Sequence, residues 1–200
     1  MQENELSPRR GRPKTRDREQ VLESAMHAFW NDRRATVSVN SICVSAKVSK
    51  PSLYRDFASE DGLTAAVLDR YAKVVLDPLE DMLKGKRSFS EKLDALIVFA
   101  SSDPSMKMGC LFVKMHSTKS RFGEQTQKKL ATLEKHFLRT YTRLLKDGAA
   151  NGEWHGKFSP SLAADYLFLQ LSTAFSQRAV GKKPESIRKL LTLSLSILRS

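Results

Sequence analysis

The side chains best suited to chemistry stand close together between Ser38 and Arg55. Lys50, Ser52, Tyr54 and Arg55 supply hydrogen-bond donors and cationic charge, with Pro51 among them. They are what remains outside once Leu53 and Phe57 turn inward on a short helix. Such types suit contacts to phosphate oxygens and to base edges in a major groove. Ser38 and Ser49 stand where two short helices would begin, and their hydroxyls can accept from free backbone N–H groups. Ahead of them, residues 7–18 hold six bases (Arg9, Arg10, Arg12, Lys14, Arg16, Arg18) against one acid, Asp17. Arg10-Gly11-Arg12-Pro13 suits a narrow A·T-rich minor groove: glycine lets the backbone sit deep, and arginine meets an enhanced negative potential. Taken alone, a basic run is usually a solubilising tail, and two short segments are equally a helical hairpin with a solvated face. Their adjacency favours nucleic acid.

Positioning those side chains is a task for helices. From about Arg16, Val21, Leu22, Ala25, Ala28 and Phe29 recur at three- and four-residue steps, one apolar stripe. Two short segments follow, Val39 to Ala46 and Lys50 to Phe57, with a turn at Ala46 to Ser49. Val39, Ile42, Ala46, Val48, Leu53 and Phe57 have the spacing of one small core. Ser59 opens a longer helix whose buried face is expected at Leu63, Val67, Tyr71 and Val74, with Pro78 ending or kinking it. A short segment over Leu79 to Leu83 comes next. Five further helices are expected at about 90–101, 109–118, 123–148, 160–180 and 184–198, punctuated by glycine and proline. No segment alternates as a strand does. The expectation is an all-α chain of about nine helices: a basic arm over 1–15, a helix-turn-helix domain over 16–62, and a helical regulatory and dimerisation domain over 63–200.

The stretch from Gly11-Arg12-Pro13 to Phe57-Ala-Ser-Glu-Asp-Gly-Leu63 resembles the DNA-binding domain of the TetR family of bacterial regulators. Val48-Ser-Lys-Pro-Ser-Leu-Tyr-Arg-Asp-Phe57 is similar to that family's recognition helix. The resemblance covers about the first third of the chain and implies a homodimer on a palindromic operator in double-stranded DNA, with repression usually relieved by a small ligand. It puts Ser49, Lys50, Pro51, Ser52 and Arg55 at or near base edges and Tyr54 on a phosphate; Ser38, Arg10, Arg12 and Lys14 complete the expected DNA-facing set. Three positions depart from the family. Lys47 stands where glycine is usual in the turn, Glu60 where a lysine commonly touches a phosphate, and Asp56 adds an acid near the DNA side.

The remainder is less specific. Gly109-Cys110-Leu111-Phe112-Val113 resembles a segment of some TetR-family regulatory domains. Two apolar stripes, Leu162, Tyr166, Leu169 and Thr173, then Ile187, Leu190, Leu191, Ser194 and Leu198, either close the core or meet a second copy; a palindrome reader needs a two-fold axis, which favours the second copy. Phe99, Met108, Cys110, Phe112, Met115, His116, Phe137, Tyr141 and Phe168 either fill the core or line a pocket for a partly apolar effector.

Composition narrows the other classes. Apolar residues make up 40% and charged residues 28% of the 200, with a net charge of +12, so the chain is globular and suits a polyanionic partner. No apolar leader or bilayer-length run is present, and the chain reads as cytoplasmic. The basic cluster precedes the first helix and is broken by Pro8, Gly11 and Pro13, unlike a membrane-surface helix. Cys43 and Cys110 have no neighbours at zinc-ligand spacing. Cys110 and His116 are six apart, on poorly matched helix faces for a nucleophile and its base. The sequence therefore predicts no enzyme, no metal and no cofactor. The alternative function is a ligand-independent DNA-binding factor, architectural or protein-recruiting.

Overall fold

The computed structural model describes residues 14–32 and 37–199, and side chains from Arg18 onward. Helix α1 spans Lys14–Asn31. It buries Val21, Leu22, Ala25, Met26, Phe29 and Trp30. Helices α2 (Val39–Ala46) and α3 (Lys50–Phe57) pack on it through Val39, Ile42, Ala46, Leu53 and Phe57. Both expected caps form: Ser38 accepts from the Ser41 N–H (3.2 Å) and Ser49 from the Ser52 N–H (3.3 Å). The Arg18 guanidinium lies 4.9 Å above the Phe57 ring and ties the start of α1 to the end of α3.

Helix α4 (Glu60–Tyr71), capped by Ser59, runs on without a break through a π-turn, Ala72–Leu76, into α5 (Asp77–Lys84). Pro78 therefore does not end the rod. Having no N–H, proline leaves the ordinary ladder short of a donor, and the preceding turn widens: the Asp77 N–H reaches back five residues to Ala72 O. This widening also corrects an expectation. Val74 is 40% exposed, and Val75 takes the buried position instead. Ala28, expected in the α1 stripe, is only partly buried.

The second half comprises α6 (Phe89–Ser101), α7 (Leu111–Ser117), α8 (Glu124–Ala150), α9 (Pro160–Ala179) and α10 (Pro184–Leu195). Ser88 and Glu91 form a reciprocal capping box at the start of α6. Helix α7 begins two residues later than the sequence predicts. Gly109 holds φ +77°, and a Cβ there would lie 2.6 Å from the Phe175 carbonyl oxygen, so the chain turns under α9 before the helix starts. At 27 residues, α8 is about 40 Å long and runs beside α4 and α9. Among the described residues there is no strand, and no single helix is long and apolar enough to cross a membrane.

Candidate nucleic-acid interface

Helix α3 shows two faces. Leu53 and Phe57 are buried, while Ser49, Lys50, Pro51, Tyr54 and Arg55 are exposed and Ser52 is half-buried. A short helix with a donor-rich outer face beside a tight turn is the geometry that enters a major groove. The turn itself is strained at Lys47, whose φ of 55° and ψ of 42° are left-handed. The Val48 N–H closes it on the Cys43 carbonyl at 3.0 Å.

The outer face is internally tethered. Arg55 donates through Nη2 to Ser52 Oγ (2.9 Å) and through Nε to Asp56 Oδ1 (3.3 Å). Tyr54 OH donates to Glu60 Oε1 (3.2 Å), and partial desolvation together with that carboxylate raises the phenol above its ordinary pKa. Two of the departures, Asp56 and Glu60, are thus partners of the side chains expected to touch DNA. Ser38 is exposed one turn before α2 closes on α1. Arg10 and Arg12 lie outside the described residues, as does the side chain of Lys14, the first residue of α1.

Contacts that the sequence does not announce join this unit to the second half. The Asp61 carboxylate, at the start of α4, caps α8: it accepts from the Gln125 N–H (2.8 Å) and the Thr126 N–H (3.1 Å). Thr126 Oγ1 donates back to the Asp61 carbonyl at 3.2 Å. A Cβ at Gly123 would lie 2.4 Å from that carboxylate carbon, so only glycine lets the two segments meet so closely. Trp30, at the end of α1, donates from Nε1 to the Gly109 carbonyl (2.7 Å), and Lys114 Nζ donates to the Trp30 carbonyl (2.5 Å). Its ring meets Tyr71 edge-on at 5.1 Å, and Tyr71 OH donates to Cys110 Sγ at 3.1 Å. Burial pushes the Tyr71 phenol and the Cys110 thiol up, so both stay protonated at neutral pH.

The residues expected around an effector are brought only partly together. Phe112, Phe137 and Phe168 stack with centroids 5.0 to 6.3 Å apart. His116 packs on Phe112 and Tyr141 on Phe137. Phe99 stands apart with Phe175. Cys110 and Met115 are buried, and Met108 is partly so. His116 Nε2 lies 3.2 Å from the Glu134 carboxylate, outside hydrogen-bond geometry.

On the far helices, Leu162 and Leu169 of α9 and Leu190 and Leu193 of α10 are exposed, as is Ile197 just beyond α10. Ile187, Leu191 and Leu198, expected on the same stripe, instead close the core of the single chain. Tyr166 is half-buried and bonds the Ser194 carbonyl; Thr173 is exposed.

No protein-family model matches the chain. Over 62 residues it is 40% identical to the HTH-type transcriptional repressor ComR of Escherichia coli (strain K12). That match covers 31% of this chain and 30% of the relative, so less than a third of the relative's length is spanned. Solved structures match over nearly the whole chain. A TetR-family transcriptional regulator of Agrobacterium tumefaciens superposes with a TM-score of 0.84 at 13% identity, covering 94% of this chain and 100% of that one. Reduced E. coli NemR gives 0.78 at 19% identity over 91% and 97% of the two chains. A cysteine variant of the TetR-family regulator CifR, complexed with a 26-bp operator duplex, gives 0.71 at 20% identity over 95% and 98%. The donor-rich helix, the rod that links it to the second half and these likenesses agree, and the chain has the fold of the TetR-family transcriptional regulators.

Proposed function

We propose that the chain is a sequence-specific DNA-binding transcriptional regulator, working in the cytoplasm as a homodimer on a palindromic operator and released from it by a small ligand. The observation that carries this reading is α3, which buries Leu53 and Phe57 and leaves Lys50, Tyr54 and Arg55 outside. Residues 1–15 would serve as a minor-groove arm, 16–62 as the DNA-reading domain and 63–200 as the regulatory and dimerising domain. Arg10, Arg12 and Lys14 would follow the minor groove. Ser49, Lys50, Pro51, Ser52 and Arg55 would face bases, Tyr54 a phosphate, and Ser38 would complete the DNA-facing set. The chemistry is recognition, not catalysis, and repression follows where the operator overlaps a promoter.

Selection of bound sequences from a random duplex pool tests it. Enrichment of a palindrome with A·T-rich flanks is the expected result. A folded protein that enriches nothing would sink the sequence-reading role. The packed Phe112, Phe137 and Phe168 cluster favours a second reading, a DNA-binding factor without a ligand switch, because an effector entering there would have to part those rings. Operator affinity unmoved by any small molecule would select that reading.

A further inference from the structure

Between α5 and the C-terminal half of α8 runs a groove of about 220 Å3. Its floor is apolar: Leu83 and Leu144 line it, each almost wholly buried. One rim is already neutralised, because Glu80 pairs with Lys84 Nζ (2.8 Å) and with His136 Nε2 (2.8 Å). The other rim is not. Arg139 and Arg143 stand one turn apart on α8, both exposed, and neither guanidinium has an ion-pair partner among the described residues. Thr140 adds a hydroxyl between them, and Asp147 lines the groove one turn beyond Arg143. A crevice with space for no more than about one water continues inward to Phe137 and Tyr141.

We propose that this groove binds a small organic monocarboxylate with an apolar body. The carboxylate lies between Arg139 and Arg143, whose planar forks match its two oxygens. The body lies on Leu83 and Leu144, where burying it contributes about 25 cal/mol per Å2. Glu80 and Asp147 flank the site and disfavour a doubly charged anion, and inorganic phosphate has nothing to lay on the leucine floor. The groove is smaller than the usual ligand pocket of about 300–1,000 Å3, so the guest is a compact acid. Its effect on DNA rests on the function proposed above; its binding does not.

The test is a ligand-observed NMR titration of the full chain with 4-ethylbenzoate, with 4-ethylbenzamide as the neutral counterpart and inorganic phosphate as competitor. The expected result is that the acid binds, and that the amide and phosphate bind at least about tenfold more weakly. Arg139→Gln with Arg143→Gln weakens the acid about tenfold or more. Lys182→Gln with Lys183→Gln, which removes the same charge elsewhere, leaves it unchanged. No binding to the parent chain, equal loss in both variant pairs, or phosphate matching the acid would each overturn the site. The acid-versus-amide comparison needs no variant and so cannot be confused with misfolding. Titrating a selected duplex in parallel separates the two readings. Acid that binds without moving duplex affinity keeps the site and removes ligand release. Duplex binding without acid binding keeps the DNA reading and removes the site.

Discussion

Lys47 occupies a left-handed conformation in the turn that aims α3, and Tyr54 spends its hydroxyl on Glu60. Each makes a prediction at the scale of one side chain. A Cβ in the left-handed region costs roughly 1 kcal/mol, so Lys47→Gly raises stability by about 0.5–1 kcal/mol in a urea titration. An unchanged midpoint would show that the core relieves the strain. Glu60→Lys frees Tyr54 and supplies a cation beside the expected phosphate track. Affinity for all duplexes should rise, and the slope of log affinity against log salt should steepen by about one. An unchanged slope would place Glu60 away from DNA. The caps at Ser38 and Ser49 and the core of α1 to α3 were legible because they depend on residues three or four apart. The pairing of Tyr54 with Glu60 was not: it crosses from one helix to the next, and only the angle between them decides it.

At the scale of elements, α8 begins where Asp61 receives it. The carboxylate answers two of the free N–H groups of that helix and sits at the positive end of its dipole. Asp61→Ala should therefore cost about 1–2 kcal/mol by thermal unfolding, with Asp61→Asn losing less. A null effect would mean that solvent caps α8 equally well. Asp61 and Gln125 are 64 residues apart, so no local pattern could reveal the pair. Val74 was misplaced for a different reason. Ideal helical periodicity assumes an unbroken ladder, and Pro78 imposes a wider turn just before it. Arg139 and Arg143 stand four apart on α8, but the groove beside them depends on where α5 lies, which no local pattern reveals.

At the scale of the molecule, an apolar strip on α9 and α10 remains uncovered by the single chain. Leu162, Leu169, Leu190, Leu193 and Ile197 lie on it, and Leu193 is 73% exposed. A buried charge there would oppose association. If the proposed homodimer uses this strip, Leu193→Glu should shift sedimentation from dimer to monomer and weaken a selected palindrome at least about tenfold, since two half-sites no longer bind as one unit. A variant that stays dimeric would place the two-fold axis elsewhere. The sequence put Ile187, Leu190, Leu191, Ser194 and Leu198 on one stripe, but the structure divides it: Ile187 and Leu191 belong to the chain's own core, and Leu190 between them does not.

The widened turn in the rod also sets which length changes the chain can absorb. Because Ala72–Leu76 takes up more chain than an α-turn, the segment carries slack that an ordinary helix lacks. Deleting the exposed Val74 together with Pro78→Ala should let the ladder close as plain α-helix with α4 and α5 each keeping its buried face. Deleting Ala66 has no slack to draw on. It would turn everything downstream by about 100° and present the wrong side of the rod to α8. A one-residue deletion in this helix should therefore be tolerated just ahead of the proline and refused about two turns earlier.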